Sequence, residues 1–445
     1  MSNSLDLLGD LIARARAAGA DAADAVLLAG TSLSVQVRLG QIEQLEGSEA
    51  RDLGLRVFVG RQSAMVSSTA VDPAGFGLLA ERAVAMARLV PEDPYGGLAE
   101  TADGADPGDL DLDDVGEPNA SSLIERAKAA EAAALAVEGV TNSEGAEAGF
   151  GRSEVVLVTS AGFAGRFVRS SHSLSATALA GQGTAMQRDY DYSSTVHLED
   201  LEAADLIGRL AGEKAVARLD PVRPKTGRFS VVFDPRVAAS LLGHLAGAVN
   251  GAAVARGTSF LKEKMGQRLF APGVAVIDDP TRRRGLRSRP WDGEGVRSRE
   301  LAIVEDGILH SWLLDSRSAR QLGMANTGNA GRGTSGPPAP GPTNLYMRAG
   351  TPTPDELMAD IHEGIYVTEL IGMGVNAITG DYSRGAAGFM IRDGRLAEAI
   401  AEITIAGTLQ EIFANAVPAN DLHFRRGTDA PTIRVEGMTI AGSAR

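Results

Sequence analysis

Apolar residues in this chain recur with two periods, and the places where the period changes mark its elements. Leu5, Leu8, Leu11 and Ile12 repeat at helical spacing behind Ser4, and Gly19 ends the run, so an amphipathic helix opens the chain. From Ser32 the period drops to two. The segments 32–40, 41–47, 53–60 and 61–68 alternate apolar and polar residues, with Gly40 and Gly60 at turn points, and predict strands. Asp72 and Pro73 then cap and start a helix running to about Leu89. Residues 90–115 are rich in Pro, Gly and Asp without a period and predict an exposed loop. An Ala-rich helix over 121–137, a run of strands over 140–196 that includes 153–160 and 165–171, and a helix over 201–218 follow.

The segment 219–227 carries two prolines and no period, which places a domain boundary there and divides the chain into 1–222 and 223–445. Beyond it come a strand at 228–234 and a helix from Arg236 to about Ala255. Hairpins are signalled at Asp306-Gly307 and Asp393-Gly394, and helices over 353–362 and 407–417. Strands grouped between helices, many joined as hairpins, predict an α+β fold of two domains, each a mixed or antiparallel sheet with packed helices.

Composition narrows the function classes. With 44% hydrophobic but only 4% aromatic residues in 445, the core is expected to consist of Leu, Val, Ile and Ala, and the 53 glycines favour many turns. A formal charge of -14 argues against broad nucleic-acid binding, which depends on Lys and Arg neutralising phosphates. No run reaches the roughly 18 apolar residues of a membrane helix, and the first twenty residues lack the apolar core of an export signal, so a cytoplasmic location is expected. Cysteine is absent, which removes disulfides and thiolate ligands together.

Local motifs for chemistry are sparse. The six histidines, at 172, 197, 244, 310, 362 and 423, make no pair on one helix face, and His362-Glu363 is followed by Gly364 and Val367 where a second ligand would have to stand. Ser335 sits in a Gly/Pro loop without a GxSxG elbow. The loose GxGxxA matches at 75–80 and 372–377 lack the strand, turn and helix that cradle a pyrophosphate, and read as turn and packing glycines. Residues 281–290 concentrate five arginines, which suits either an electrostatic contact or a solvated loop. The long irregular stretch 322–347 has the length and glycine content of a functional loop, or of a turn stabilised by its Asn and Gly residues.

Several segments occur in an order that resembles the TldD/PmbA family: GTS (257–259), VEDGIL (304–309), LGMANTGNAGR (322–332), PTNLYM (342–347), GIYV (364–367) and ITGDYSRGAAGFMIRDG (378–394). In the TldD branch a HExxxH helix precedes the RGTS-like segment, and a Cys near the C-terminus completes a zinc site. Counted back from Arg256–Ser259, those ligand positions fall here on Leu242, Gly243 and Gly247, none of which binds a metal. The pattern is similar to the PmbA branch, also called TldE. The resemblance implies a non-catalytic subunit without catalytic residues, metal or cofactor. It would act as a homodimer or as a heterodimer with a TldD-like zinc peptidase, on extended or unfolded peptides, in proteolysis or leader removal. It also implies a peptide-binding role for Gly328, Arg332, Thr343 and Asn344. A regulatory binding protein of the gyrase-modulator type and an independent hydrolase with an unrecognised site are the alternatives.

Overall fold

A computed structural model describes residues 4–100 and 108–442. The first half contains α1 (Ser4–Ala17), β1 (Ala22–Arg38), β2 (Gln41–Val59), β3 (Gln62–Ser68), α2 (Phe76–Ala87), α3 (Ala120–Leu135), β4 (Val140–Thr159), β5 (Ala164–Ala180), β6 (Gln187–Thr195) and α4 (Ala204–Ala217). Its strands form one antiparallel sheet in the order β3-β2-β1-β4-β5-β6. Side chains alternate across a strand, and β1 uses the alternation fully. Ala23, Ala25 and Leu27 point to the face covered by α1 and α2, and Val35 and Val37 to the same face further along, under α3 and α4. Val26 and its neighbours on the opposite face meet the second half of the chain.

That second half begins with β7 (Gly227–Phe233), α5 (Pro235–Ala248) and α6 (Gly251–Ala255). Then come β8 (Val276–Asp278), β9 (Leu301–Glu305), β10 (Ile308–Leu309), α7 (Ser316–Leu322), β11 (Ala330–Gly331), β12 (Ala339–Pro340), β13 (Leu345–Met347) and α8 (Pro354–Met358). The chain ends with β14 (Glu363–Ile371), β15 (Asp381–Arg392), β16 (Arg395–Thr408), α9 (Leu409–Ala414), β17 (Val417–Pro418), β18 (Thr428–Asp429) and β19 (Ile433–Ala441). One sheet runs β16-β15-β14-β7-β19-β17 and closes on itself through a β16–β19 pairing, while a smaller one runs β10-β9-β8-β13-β18. The architecture is α+β. No helix among the described residues is long and apolar enough to cross a membrane.

Four expectations change. The segments 41–47 and 53–60 belong to one strand, because β1 pairs with β2 along its whole length and carries the charged stretch between them. The helix expected from Arg236 to Ala255 breaks at Asn250, whose side chain accepts from the N–H groups of Ala252 and Ala253 and starts a new helix. The helices expected over 353–362 and 407–417 shrink to α8 and α9, the latter because β16 keeps pairing up to Thr408. Within 90–115 the residues are irregular, yet Ala99, Leu110 and Leu112 are buried; 101–107 lie outside the described residues.

The halves are joined by arginines reaching carboxylates. At the centre lies Asp24 of β1, 1% exposed, which accepts from Arg56 Nε at 3.0 Å and from Arg332 Nη2 at 2.6 Å. Burial raises the Asp24 carboxyl, but the two guanidinium charges outweigh this and hold it below the usual carboxylate range. Glu294 stands 3.8 Å from Arg56. Trp291 wedges edge-on between Phe163 and Phe167, with ring centroids 5.3 and 5.1 Å away. Gly54 lets the loop cross the sheet, since a Cβ there would lie 2.4 Å from the Thr334 carbonyl oxygen.

Glu294 gives this junction a pH signature. Burial, opposed by Arg56 and reinforced by Asp292, pushes its carboxyl up from 4.5 to about 6. The folded chain therefore holds this proton more tightly than the unfolded chain, so the contribution is fully present below pH 4.5 and is lost as pH rises through 6. Urea unfolding at several pH values should show the stability of the wild type relative to Glu294→Gln falling by about 2 kcal/mol across that window. A difference independent of pH would show that folding leaves the Glu294 pKa unshifted.

Candidate functional site

Helix α5 carries the positions at which a metal site is the question. Asp234 accepts from Arg236 N and Pro235 supplies the first turn, so the helix is fixed at its start. Val237, Leu241, Leu242 and Leu245 then pack into the largest core cluster. Leu242 is fully buried. Gly243 and Gly247 face outward, and a Cβ at either would meet nothing within 4 Å. The helix ends where Ser259 Oγ donates to the Ala248 carbonyl at 2.6 Å and Thr258 Oγ1 to Ala253, so the GTS segment locks the turn that follows it.

The donor set does not fit a metal of the metallopeptidase kind. The single imidazole on the helix is His244, half-buried, whose Nε2 has no hydrogen-bond partner and whose ring lies edge-on to Tyr382 at 6.0 Å. Burial, and then the positive charge of Arg384, lowers its pKa. That guanidinium also opposes a cation at the same nitrogen. Among the described residues no three His, Asp or Glu side chains converge as a metal cluster.

The loop 322–347 holds the four residues singled out for peptide binding, and the structure turns most of their polar atoms inward. Arg332 donates to Asp24, and its side chain is 2% exposed, whereas the residue as a whole is half-buried because its backbone faces outward. Thr343 donates to the Asp278 carboxylate through N at 2.6 Å and Oγ1 at 2.9 Å, and Asn329 Nδ2 does so at 2.8 Å. Burial still pushes the Asp278 carboxyl up. Asn344 donates to the Asp279 carbonyl and to Ser288 Oγ, and accepts from Arg287 N. Gly328 takes φ 76°, and a Cβ there would lie 3.2 Å from the Arg297 carbonyl. Thr343 and Asn344 thus tie the loop to 278–288, while Arg332 ties it to the first sheet.

The arginine-rich segment 281–290 is an electrostatic contact, made within the chain. Arg284 Nε donates to Asp111 at 2.6 Å, and its Nη1 to Glu199 and Asp200. Arg282 lies on the Phe424 ring, and the half-buried Arg289 feels the charges of Asp292 and Asp278. Sequence reasoning found the arginines but not their partners, of which those of Arg284 lie far away in the first half. It also passed over Tyr382, whose buried hydroxyl has no partner, and the carboxylates Asp278 and Asp292, which carry no local motif.

Comparison with known proteins places these features in a family. Profiles of the PmbA/TldA metallopeptidases match in three parts: domain 1 at 23–87, the central domain at 113–219 and the C-terminal domain at 226–442. Metalloprotease PmbA of Escherichia coli O157:H7 is 35% identical over 425 residues, covering 95% of this chain and 92% of that one. The PmbA homologue of Haemophilus influenzae is 34% identical over 96% of this chain and 93% of its own. A Bacteroides thetaiotaomicron crystal structure, described as a candidate modulator of DNA gyrase, superposes with TM-score 0.90 at 26% identity over 100% of both chains. TldE of Thermococcus kodakarensis shares the fold, with TM-score 0.87 at 20% identity over 98% of this chain and 100% of that one.

Two outcomes are expected from α5. Dialysed protein should hold far less than one zinc per chain by metal analysis. Gly243→Ala and Gly247→Ala should each raise stability by roughly 0.5 to 1 kcal/mol, because helical glycines with open space around them lose backbone entropy without compensation. A loss of stability in thermal melts would mean that a Cβ there meets something.

Proposed function

Because this chain belongs to the PmbA/TldD metallopeptidase family, we propose that it is the non-catalytic subunit of a two-component peptidase. The zinc chemistry then resides in a TldD-like partner, and this chain helps to hold extended or unfolded peptides for proteolysis or leader removal. One observation carries the reading. At the three places where the metal helix of the catalytic branch has its ligands and base, this helix presents a core leucine, Leu242, and two bare glycines, Gly243 and Gly247. A catalytic zinc needs protein ligands, an open position and a base for its water, and none of these residues supplies any.

Peptide holding is supported by the division of labour in the 322–347 loop. Arg332 and Thr343 are bonded to buried carboxylates, while the backbone at Arg332, Gly333 and Gly336 is open to solvent. An extended peptide recognised there would be held by main-chain hydrogen bonds, which are blind to sequence and suit an unfolded substrate. Gly328, Arg332, Thr343 and Asn344 then shape the site from beneath. The bare glycines of α5 leave room for a partner surface to approach closely, in a heterodimer or a homodimer.

The experiment is reconstitution. The purified chain alone should leave an unfolded peptide intact, and mixing it with a TldD-like chain that retains HExxxH should give cleavage that o-phenanthroline abolishes. Chelator-insensitive cleavage by the isolated chain would assign it a hydrolytic site of its own.

A further inference from the structure

Beside the 322–347 loop the structure has a cavity of about 640 Å³ walled by residues 296–299, α7 and residues 324–326. Arg297, Arg299 and Arg320 line it, against one carboxylate among the described residues, Glu100. In a chain of net charge -14 this is a local inversion of sign. The three guanidinium groups are in different states. Arg320 is spent on the carbonyls of Tyr95, Gly97 and Leu98, which fix its position and leave its charge. Arg299 Nη2 donates to the Asn326 carbonyl at 3.0 Å and keeps its other donors. The exposed Arg297 has no side-chain partner among the described residues.

Ser298 is 5% exposed and its Oγ is closed off from solvent, while Arg297 and Arg299 on either side of it are exposed and line the cavity. Met324, Ala325 and Val296 give the remaining wall an apolar character. The floor is rigid, because Asn326 Nδ2 donates to Ser316 Oγ and Oδ1 accepts from Gly328 N.

We propose that this cavity binds a carboxylate group of a peptide, held by Arg297 and Arg299, with the flanking apolar side chain against Met324. A guanidinium pairs with a carboxylate through parallel N–H donors, and the apolar wall suits a peptide over a small inorganic anion. The proposal rests on the peptide-holding function above and assigns its specificity: peptides with an acidic group at this subsite, either a C-terminal carboxylate or an Asp or Glu side chain.

The test uses the full chain and a short fluorescein-labelled peptide of Ala, Ser and Leu in three forms: uncharged, with a C-terminal amide and Gln; with a free C-terminal carboxylate and Gln; and with a C-terminal amide and Glu. Anisotropy titrations should show one or both acidic forms binding about 10- to 100-fold tighter than the uncharged one, the worth of charge-assisted hydrogen bonds, and which form gains names the source of the carboxylate. Arg297→Gln should remove the preference and Arg299→Gln should weaken it, each with unchanged circular dichroism. Equal binding of all three forms, an unchanged preference in Arg297→Gln, or equal displacement by inorganic phosphate overturns the proposal. Loss of the preference while reconstituted cleavage persists would sink this assignment alone; a preserved preference without any reconstituted cleavage would sink the two-component function and leave the subsite standing.

Discussion

One buried carboxylate between two guanidinium groups fixes how the halves of this molecule meet. Asp24 projects from the middle of a sheet whose other face is already covered by four helices, and it accepts from Arg56 across the strand pair and from Arg332 in the opposite half. Removing one member of such a group leaves a charge stranded in low dielectric, which typically costs about 3 to 5 kcal/mol, so the arrangement specifies position more than it adds stability. Arg332 sits where the long loop turns. Anchoring it draws the Thr334 carbonyl over Gly54 and leaves the loop's backbone facing outward.

The same chemistry recurs around that centre. Arg236 reaches Asp189, Arg284 reaches Asp111, and Arg425 reaches Asp191, in each case from the second half to the first. Trp291 and its two phenylalanine neighbours add an apolar contact between the ion pairs, which excludes water and strengthens them. Inter-domain contacts of this polar kind usually permit relative motion, but here the pairs are spread over several elements around a buried centre at Asp24, so the halves are held in one register.

Local order was legible in the sequence because its cause is local. The helix expected from Arg236 begins at Pro235, one residue earlier, and the turns at Gly40 and Gly60 and the hairpins at Asp306-Gly307 and Asp393-Gly394 stand where spacing and turn chemistry put them. Failures came where a distant partner overrode the local signal. The charged stretch between 47 and 53 reads as a break, yet β1 supplies its ladder; Asn250 reads as helix interior, yet its side chain caps the next helix and its Nδ2 donates to Pro340, ninety residues on. Five clustered arginines likewise gave no hint that Asp111, Glu199 and Asp200 wait for them across the domain junction. Periodicity does not say which loop a charge will meet. At Arg332, Thr343 and Asn344 the sequence marked the right loop but not the direction of its side chains.

The core explains how a metallopeptidase scaffold can stand without metal ligands on this helix. Where a structural metal contributes folding free energy, its loss must be compensated elsewhere. Here Leu242 is fully buried beside Leu241 and Leu245, in a core that runs continuously through α5, the closed sheet and α9, so the helix is secured by apolar burial. A histidine at 242 would bury an imidazole among these side chains, while a ligand at 247 would project toward solvent. The helix is thus packed as a structural element. At the cavity beside the 322–347 loop, the exposed guanidinium of Arg297 keeps no side-chain partner among the described residues.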